Sequence, residues 1–267
     1  MKISLTRVAH KSSDAQTLIF IHGMGSAATA WKTITPTLSE NYHLISVDLP
    51  GHGLTPLNLS QPMDPRSLAE LVVKNISDEY GIDTFHVIGN SLGGWIGLEM
   101  ASLFPEQVQS VTAIAPAGLW LVPFTSRAPG SALSRTMAQR LKNFYPTLMK
   151  YQWARQAAFY DVSPRWRSLS YDTCLDATMA MATSTGYFPA WDAMLTKRFD
   201  STIASHIPIC IIFGDTDRVL PKVRSQEKTL APDHATWHEI ASSGHAPMWD
   251  SPELVISYIR QSVSAAS

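Results

Sequence analysis

Short, unbroken apolar runs recur along this chain, separated by stretches with helical spacing. That alternation constrains the fold more than any other feature. Residues 18–22 (LIFIH), 44–48 (LISVD), 85–89 (FHVIG), 108–115 (VQSVTAIA) and 207–214 (IPICIIFG) each read as a strand covered on both faces, and 235–240 is a further candidate. Buried strands alternating with helices build a mostly parallel sheet with helices packed on its two faces, so the predicted class is α/β. Asp64-Pro65 supplies an N-cap and a first-turn proline ahead of Leu68, Leu71, Val72 and Ile76. Ser251-Pro252 repeats that grammar ahead of Leu254, Val255, Tyr258 and Ile259.

A chain of 267 residues suits one large α/β domain, or one domain carrying an insertion. Hydrophobic residues at 45% against 16% charged exclude a disordered chain, which needs the reverse balance. Twenty-one basic against 22 acidic side chains leave a net charge of -1, which gives no electrostatic case for nucleic acid. Cys174 and Cys210 lie far apart without a CxxC partner, so they read as reduced thiols rather than a disulfide framework or a zinc site. Residues 1–10 hold no continuous apolar segment of the signal-peptide kind, and no apolar stretch approaches 18 residues. The expectation is a cytoplasmic protein with no membrane partner.

Residues 118–200 break the alternation. They hold 14 of the 25 aromatic residues, and ten Lys or Arg against five Asp and no Glu, which makes them about +5 and the remainder about -6. We read this stretch as a mostly helical insertion between two strands, with residues 1–117 and 201–267 forming the core. Its aromatics, Trp120 and Trp191 among them, serve either as the core of a small subdomain or as walls of an apolar pocket beneath a lid.

The strongest local signal is Gly89-Asn90-Ser91-Leu92-Gly93-Gly94, between an apolar run and a helical pattern. A serine on a tight strand-to-helix turn needs small neighbours, because the backbone is strained there and the helix must pack closely. Its hydroxyl is a poor nucleophile until a base takes the proton. Imidazole suits that task, provided a buried carboxylate fixes its tautomer. Nine histidines compete for the role. His234 and His238 have the i, i+4 spacing of a metal pair, but on a strand four residues span roughly 13 Å, too far to share one ion. His22 and His52 sit in glycine-rich turns and suit the bracing of loop backbone, as does Asp48.

Taken with the elbow, four further segments give the chain its resemblance to the α/β-hydrolase superfamily. His22-Gly23-Met24-Gly25 resembles the HGxG oxyanion loop, and Asp48-Leu49-Pro50-Gly51-His52-Gly53 the D-x-x-G-x-G turn. Residues 214–221 resemble the acid turn G-x-x-D-x-x-x-P, and Gly244-His245-Ala246-Pro247, with Asp250 beyond, the histidine loop. The resemblance implies an α/β-hydrolase fold with a helical cap after the strand at 108–115. It implies a Ser91, Asp217, His245 triad in the chain order of this fold. Asp215 shares the acid turn, and the motif favours Asp217 over it. The backbone N–H groups of Met24 and Leu92 would form the oxyanion hole. No metal and no organic cofactor is implied.

A serine at the elbow points to acyl transfer, with a small, largely apolar carboxylic ester or lactone as substrate. The alternative is C–C bond hydrolysis of a ring-fission diketone, although Ala246 stands where such enzymes commonly carry Trp. A ligand-binding member of the fold without catalysis is a third class.

Overall fold

The computed structural model describes residues 1–127 and 130–266. Seven strands form one sheet in the order β1-β3-β2-β4-β5-β6-β7. They are β1 (Ser4–Val8), β2 (Thr17–Ile21), β3 (His43–Asp48), β4 (Phe85–Asn90), β5 (Val108–Ile114), β6 (Ile209–Gly214) and β7 (Thr236–Ile240). Only β1 runs antiparallel, against β3; every other pairing is parallel. The six apolar runs are β2 to β7. β1 (SLTRV) leaves no continuous apolar signal, because its edge residues are of mixed composition, with Thr6, Arg7 and Val8 exposed.

Burial on both faces follows from the period of two along each strand. Ile19, Ile21, Ile45, Val47, Val87, Val111, Ile211 and Phe213 face one side, where helices Pro65–Tyr80 and Leu92–Leu103 cover them. Leu18, Phe20, Leu44, Ile88, Ile114 and Ile212 face the other, against Trp31, Ile34, Val255 and Ile259. The Asp64 carboxylate accepts from Ser67 N–H and caps its helix as the sequence predicts. Ser251 makes no such cap on helix Pro252–Ser264; its hydroxyl pairs with that of Ser243 at 3.0 Å instead.

Between β5 and β6 the chain forms helices Ser131–Leu141, Tyr145–Leu148, Gln152–Phe159, Tyr171–Thr183 and Tyr187–Met194. Tyr145, Met149, Phe159, Trp166, Leu169 and Cys174 give this segment a small core of its own. The buried Arg135 guanidinium donates to the Ala182 and Ser184 carbonyls at the C-terminal end of helix Tyr171–Thr183, where the helix dipole offsets its charge. Both cysteines are buried and free. Among the described residues no helix is long and apolar enough to cross a membrane.

Candidate active site

Parallel strands deliver three loops to one edge of the sheet. Ser91 follows β4, Asp217 follows β6 and His245 follows β7, so all three leave the carboxyl ends of their strands. β4 lies beside β2, where the strand order reverses, and the loop after β2 therefore runs against the loop after β4.

Ser91 holds φ 55° and ψ -116°, a conformation that side chains rarely adopt. The glycines around it are there for space. A Cβ at Gly89 would strike the Gly93 carbonyl, and one at Gly93 would strike the Ile21 carbonyl. Helix Leu92–Leu103 consequently starts directly over β2 and β4. On the facing loop, a Cβ at Gly23 would lie 3.0 Å from Ser91 Cβ. Ser26 N–H donates to the Gly23 carbonyl and Gly25 has φ 74°, the third position of a tight turn that requires glycine. The N–H groups of Met24 and Leu92 have no acceptor among the described residues. Two free donors thus flank the serine, one from each loop.

His245 is buried, and its Nδ1–H donates to Asp217 Oδ2 at 2.9 Å. The other oxygen of Asp217 accepts from the N–H groups of Val219 and Leu220 at 2.9 and 2.8 Å. Three donors thus surround one buried carboxylate. Asp215 points elsewhere: its carboxylate reaches Ser243 N–H at 3.4 Å and ties the acid turn to the histidine loop. Among the described residues Ser91 Oγ makes no hydrogen bond, and the His245 ring bonds through Nδ1 to Asp217.

The bracing residues behave as their positions suggest. Asp48 accepts from Ala28 and Leu54 N–H at 2.8 and 3.0 Å. His22 accepts from Leu49 N–H on Nε2, so its Nδ1–H donates to the Gly23 carbonyl at 2.7 Å and its tautomer is set. Burial lowers the His22 pKa to about 4. Burial, with the neighbouring His22, lowers that of His52 to about 3. Neither ring takes up a proton near neutrality. His234 bonds the Ile207 carbonyl and His238 stacks on Tyr258.

Residues 118–200 touch the site at two places that sequence reasoning missed. Met181 and Tyr187 lie against Gly25: a Cβ there would come within 2.6 Å of Met181 Cε and 3.0 Å of Tyr187. His245 N–H donates to the Val162 carbonyl at 2.8 Å. Nothing in the local sequence marks Val162, since its contact is made by backbone. Trp120 is fully buried, edge-on to Trp95 and Phe124, with its indole N–H on the Lys197 carbonyl. Trp191 packs in the same cluster, and its buried indole N–H has no partner among the described residues.

Comparison with known proteins converges on one family. The model of the alpha/beta hydrolase family matches residues 18–257. The dihydrolipoyllysine-residue acetyltransferase component of an acetoin cleaving system from Cupriavidus necator is 27% identical over 244 residues. That match covers 90% of this chain but 61% of the relative, so the chain spans less than two thirds of its length. A 2-hydroxy-6-oxo-6-phenylhexa-2,4-dienoate hydrolase from Comamonas testosteroni is 22% identical over 269 residues, covering 94% of this chain and 90% of the relative. A thermophilic esterase from Thermogutta terrifontis superposes with a TM-score of 0.73 at 15% identity, over 99% of this chain and 93% of that one, a likeness of fold. With the family pattern spanning the sheet, the elbow and the histidine loop, the chain belongs to the alpha/beta hydrolase family.

Proposed function

We propose that the protein is a serine hydrolase that cleaves a small, largely apolar carboxylic ester or lactone through an acyl-enzyme, with Ser91, Asp217 and His245 as its triad. The observation that carries this reading is the buried His245–Asp217 pair, on the same sheet edge as a serine held in strained backbone beside two free N–H donors. Ser91 Oγ attacks the substrate carbonyl while His245 Nε2 takes its proton. The Met24 and Leu92 N–H groups receive the developing oxyanion. His245 then protonates the leaving alkoxide, and a water molecule activated by the same imidazole releases the acid. Asp217 holds the imidazole in the tautomer with Nδ1 protonated, which leaves Nε2 free to accept.

In this reading residues 118–200 are a cap over the site. Met181 and Tyr187 would present an apolar roof to the substrate beside Gly25. Trp191 and Trp120 would back this roof, packed together around Phe124. The substrate is a small molecule, and the chemistry needs no cofactor. A C–C bond hydrolase of ring-fission diketones is the second reading, favoured by the full-length match to one such enzyme.

A fluorophosphonate probe should place one label on the peptide containing Ser91 and none on Ser91→Ala. A panel of p-nitrophenyl esters of increasing chain length, run beside a ring-fission diketone, separates the two readings. Labelling that persists in Ser91→Ala sinks both.

A further inference from the structure

The histidine loop is held from two sides. The acid turn supports one side, through Thr216 N–H on the Ser243 carbonyl at 3.0 Å and the Asp217–His245 bond. The other side rests on residues 162–165, which belong to the segment between β5 and β6. His245 N–H donates to the Val162 carbonyl, and Arg165 Nε donates to the Ser242 carbonyl at 3.1 Å. At the centre of this second contact is Asp250, a buried carboxylate outside the triad. Its Oδ2 accepts from Gly244 N–H at 2.8 Å, and its Oδ1 accepts a short hydrogen bond from Ser163 Oγ–H. Ser163 is fully buried. The NH1 group of Arg165 closes the ring on the Asp250 backbone carbonyl at 2.8 Å.

We infer that Asp250 is a positioning residue for the base. It clamps the N–H of Gly244, the residue before His245, to Ser163, and through Ser163 to the inserted segment. The inference rests on the triad reading, since it assigns a role relative to His245. The physical case has three parts. A buried acid is costly unless its oxygens are paired, and here both are paired to groups far apart in sequence. Gly244 cannot be held by side-chain bulk, because a Cβ there would strike the Val162 carbonyl. One carboxylate bridging the two strands of chain therefore does what packing cannot. Finally, Gly244 directly precedes the imidazole, so a shift of the clamped peptide moves the ring relative to Asp217 and Ser91. Burial raises the Asp250 pKa, while the Ser163 and Gly244 bonds and the nearby Arg165 pull it back. The paired oxygens are thus part of what keeps the carboxylate in use.

The test compares Asp250→Ala, Ser163→Ala and Asp250→Asn with the wild type, with His245→Ala as a control. Asparagine can accept from Gly244 N–H and donate to Ser163 Oγ, so it preserves the clamp without the charge. Loss of the clamp should lower kcat about thirtyfold in Asp250→Ala and about tenfold in Ser163→Ala, with KM altered less than about twofold, and Asp250→Asn should recover most of the loss. The far-downfield proton resonance of the His245–Asp217 bond should broaden or vanish in the two alanine variants and return in Asp250→Asn. Folded alanine variants that keep the wild-type kcat and this resonance, whatever their melting temperature, overturn the proposal. An Asp250→Asn variant as impaired as Asp250→Ala overturns it too, since charge would then matter and the clamp would not. Should Asp250→Ala fail to fold, Ser163→Ala and Asp250→Asn decide by the same criteria. A His245→Ala variant that retains activity removes the triad reading itself and is thereby distinguished from a failure of the clamp.

Discussion

Asn90 donates its side-chain amide to the backbone carbonyl of His245 at 3.0 Å, across 155 residues of sequence. The same Nδ2 reaches the Ile114 carbonyl at 3.1 Å. The residue that precedes the elbow serine thus pins the loop of the base to the ends of β4 and β5. One side chain therefore ties Ile114, the strand partner of Asn90, to the histidine loop.

Asn90→Ala should lower kcat about tenfold, leave fluorophosphonate labelling confined to Ser91, and cost about 1–3 kcal/mol of stability for the buried carbonyls it abandons. Titration with denaturant and steady-state kinetics measure the two parts separately. Stability lost with kcat intact would reduce Asn90 to a packing residue.

Asp217→Asn should cut kcat by about four orders of magnitude, because an amide favours the wrong imidazole tautomer. Asp215→Asn should keep most of the activity, since among the described residues its carboxylate makes one hydrogen bond, the long one from Ser243 N–H. Initial rates on one ester suffice, and a reversed order of the two variants contradicts the assignment.

Acid should destabilise the protein through its buried histidines. Burial lowers the pKa of His22 and His86 from 6.5 to about 4, and that of His52 to about 3. The unfolded chain therefore takes up protons first as the pH falls. The stability these rings confer is complete above pH 6.5 and is lost as pH drops toward their folded values. Each of His22 and His86 accounts for up to about 3 kcal/mol at about 1.4 kcal/mol per pKa unit. Burial raises the pKa values of Glu99 and Asp250, which act in the opposite sense, so the difference between wild type and His86→Gln isolates one ring. Urea midpoints from pH 7.5 to 4.5 should fall less steeply in His86→Gln; parallel curves would contradict the prediction.

Trp120→Ala should cost roughly 3–5 kcal/mol with an unchanged ester profile, because its ring fills the cluster between Trp95 and Phe124. Trp191→Phe keeps much of the packing but removes the unpaired N–H, and should shift the chain-length preference in kcat/KM more than the melting temperature. An unchanged preference in that variant would return Trp191 to the core and remove one support of the roof.

The central strands were legible because burial on both faces gives mostly apolar runs, as in β2 and β6; edge strand β7 is buried only at Ile240. β1 escaped because its edge residues, with Thr6 and Arg7 exposed, are ordered by pairing with β3 rather than by burial. The elbow could be read from its glycines, each of which answers to a backbone in the folded chain. Asp215 and Asp217 occupy one irregular turn, where the motif favours Asp217 and the imidazole N–H donates to that same residue. Val162 and Ser163 left no trace in sequence. Their contacts with the histidine loop are long-range, and one is made by a carbonyl that every residue carries.

The clamp on the histidine loop also sets an order of assembly. The elbow and its facing turn are complete once β5 lies beside β4, since Ser91 N–H bonds the Ile114 carbonyl. The imidazole arrives last, and its peptide is braced by a segment synthesised long before it. A nascent chain thus carries a finished elbow before the histidine loop exists, and on the proposed reading hydrolytic competence becomes the closing event of folding rather than a property of any half of the molecule.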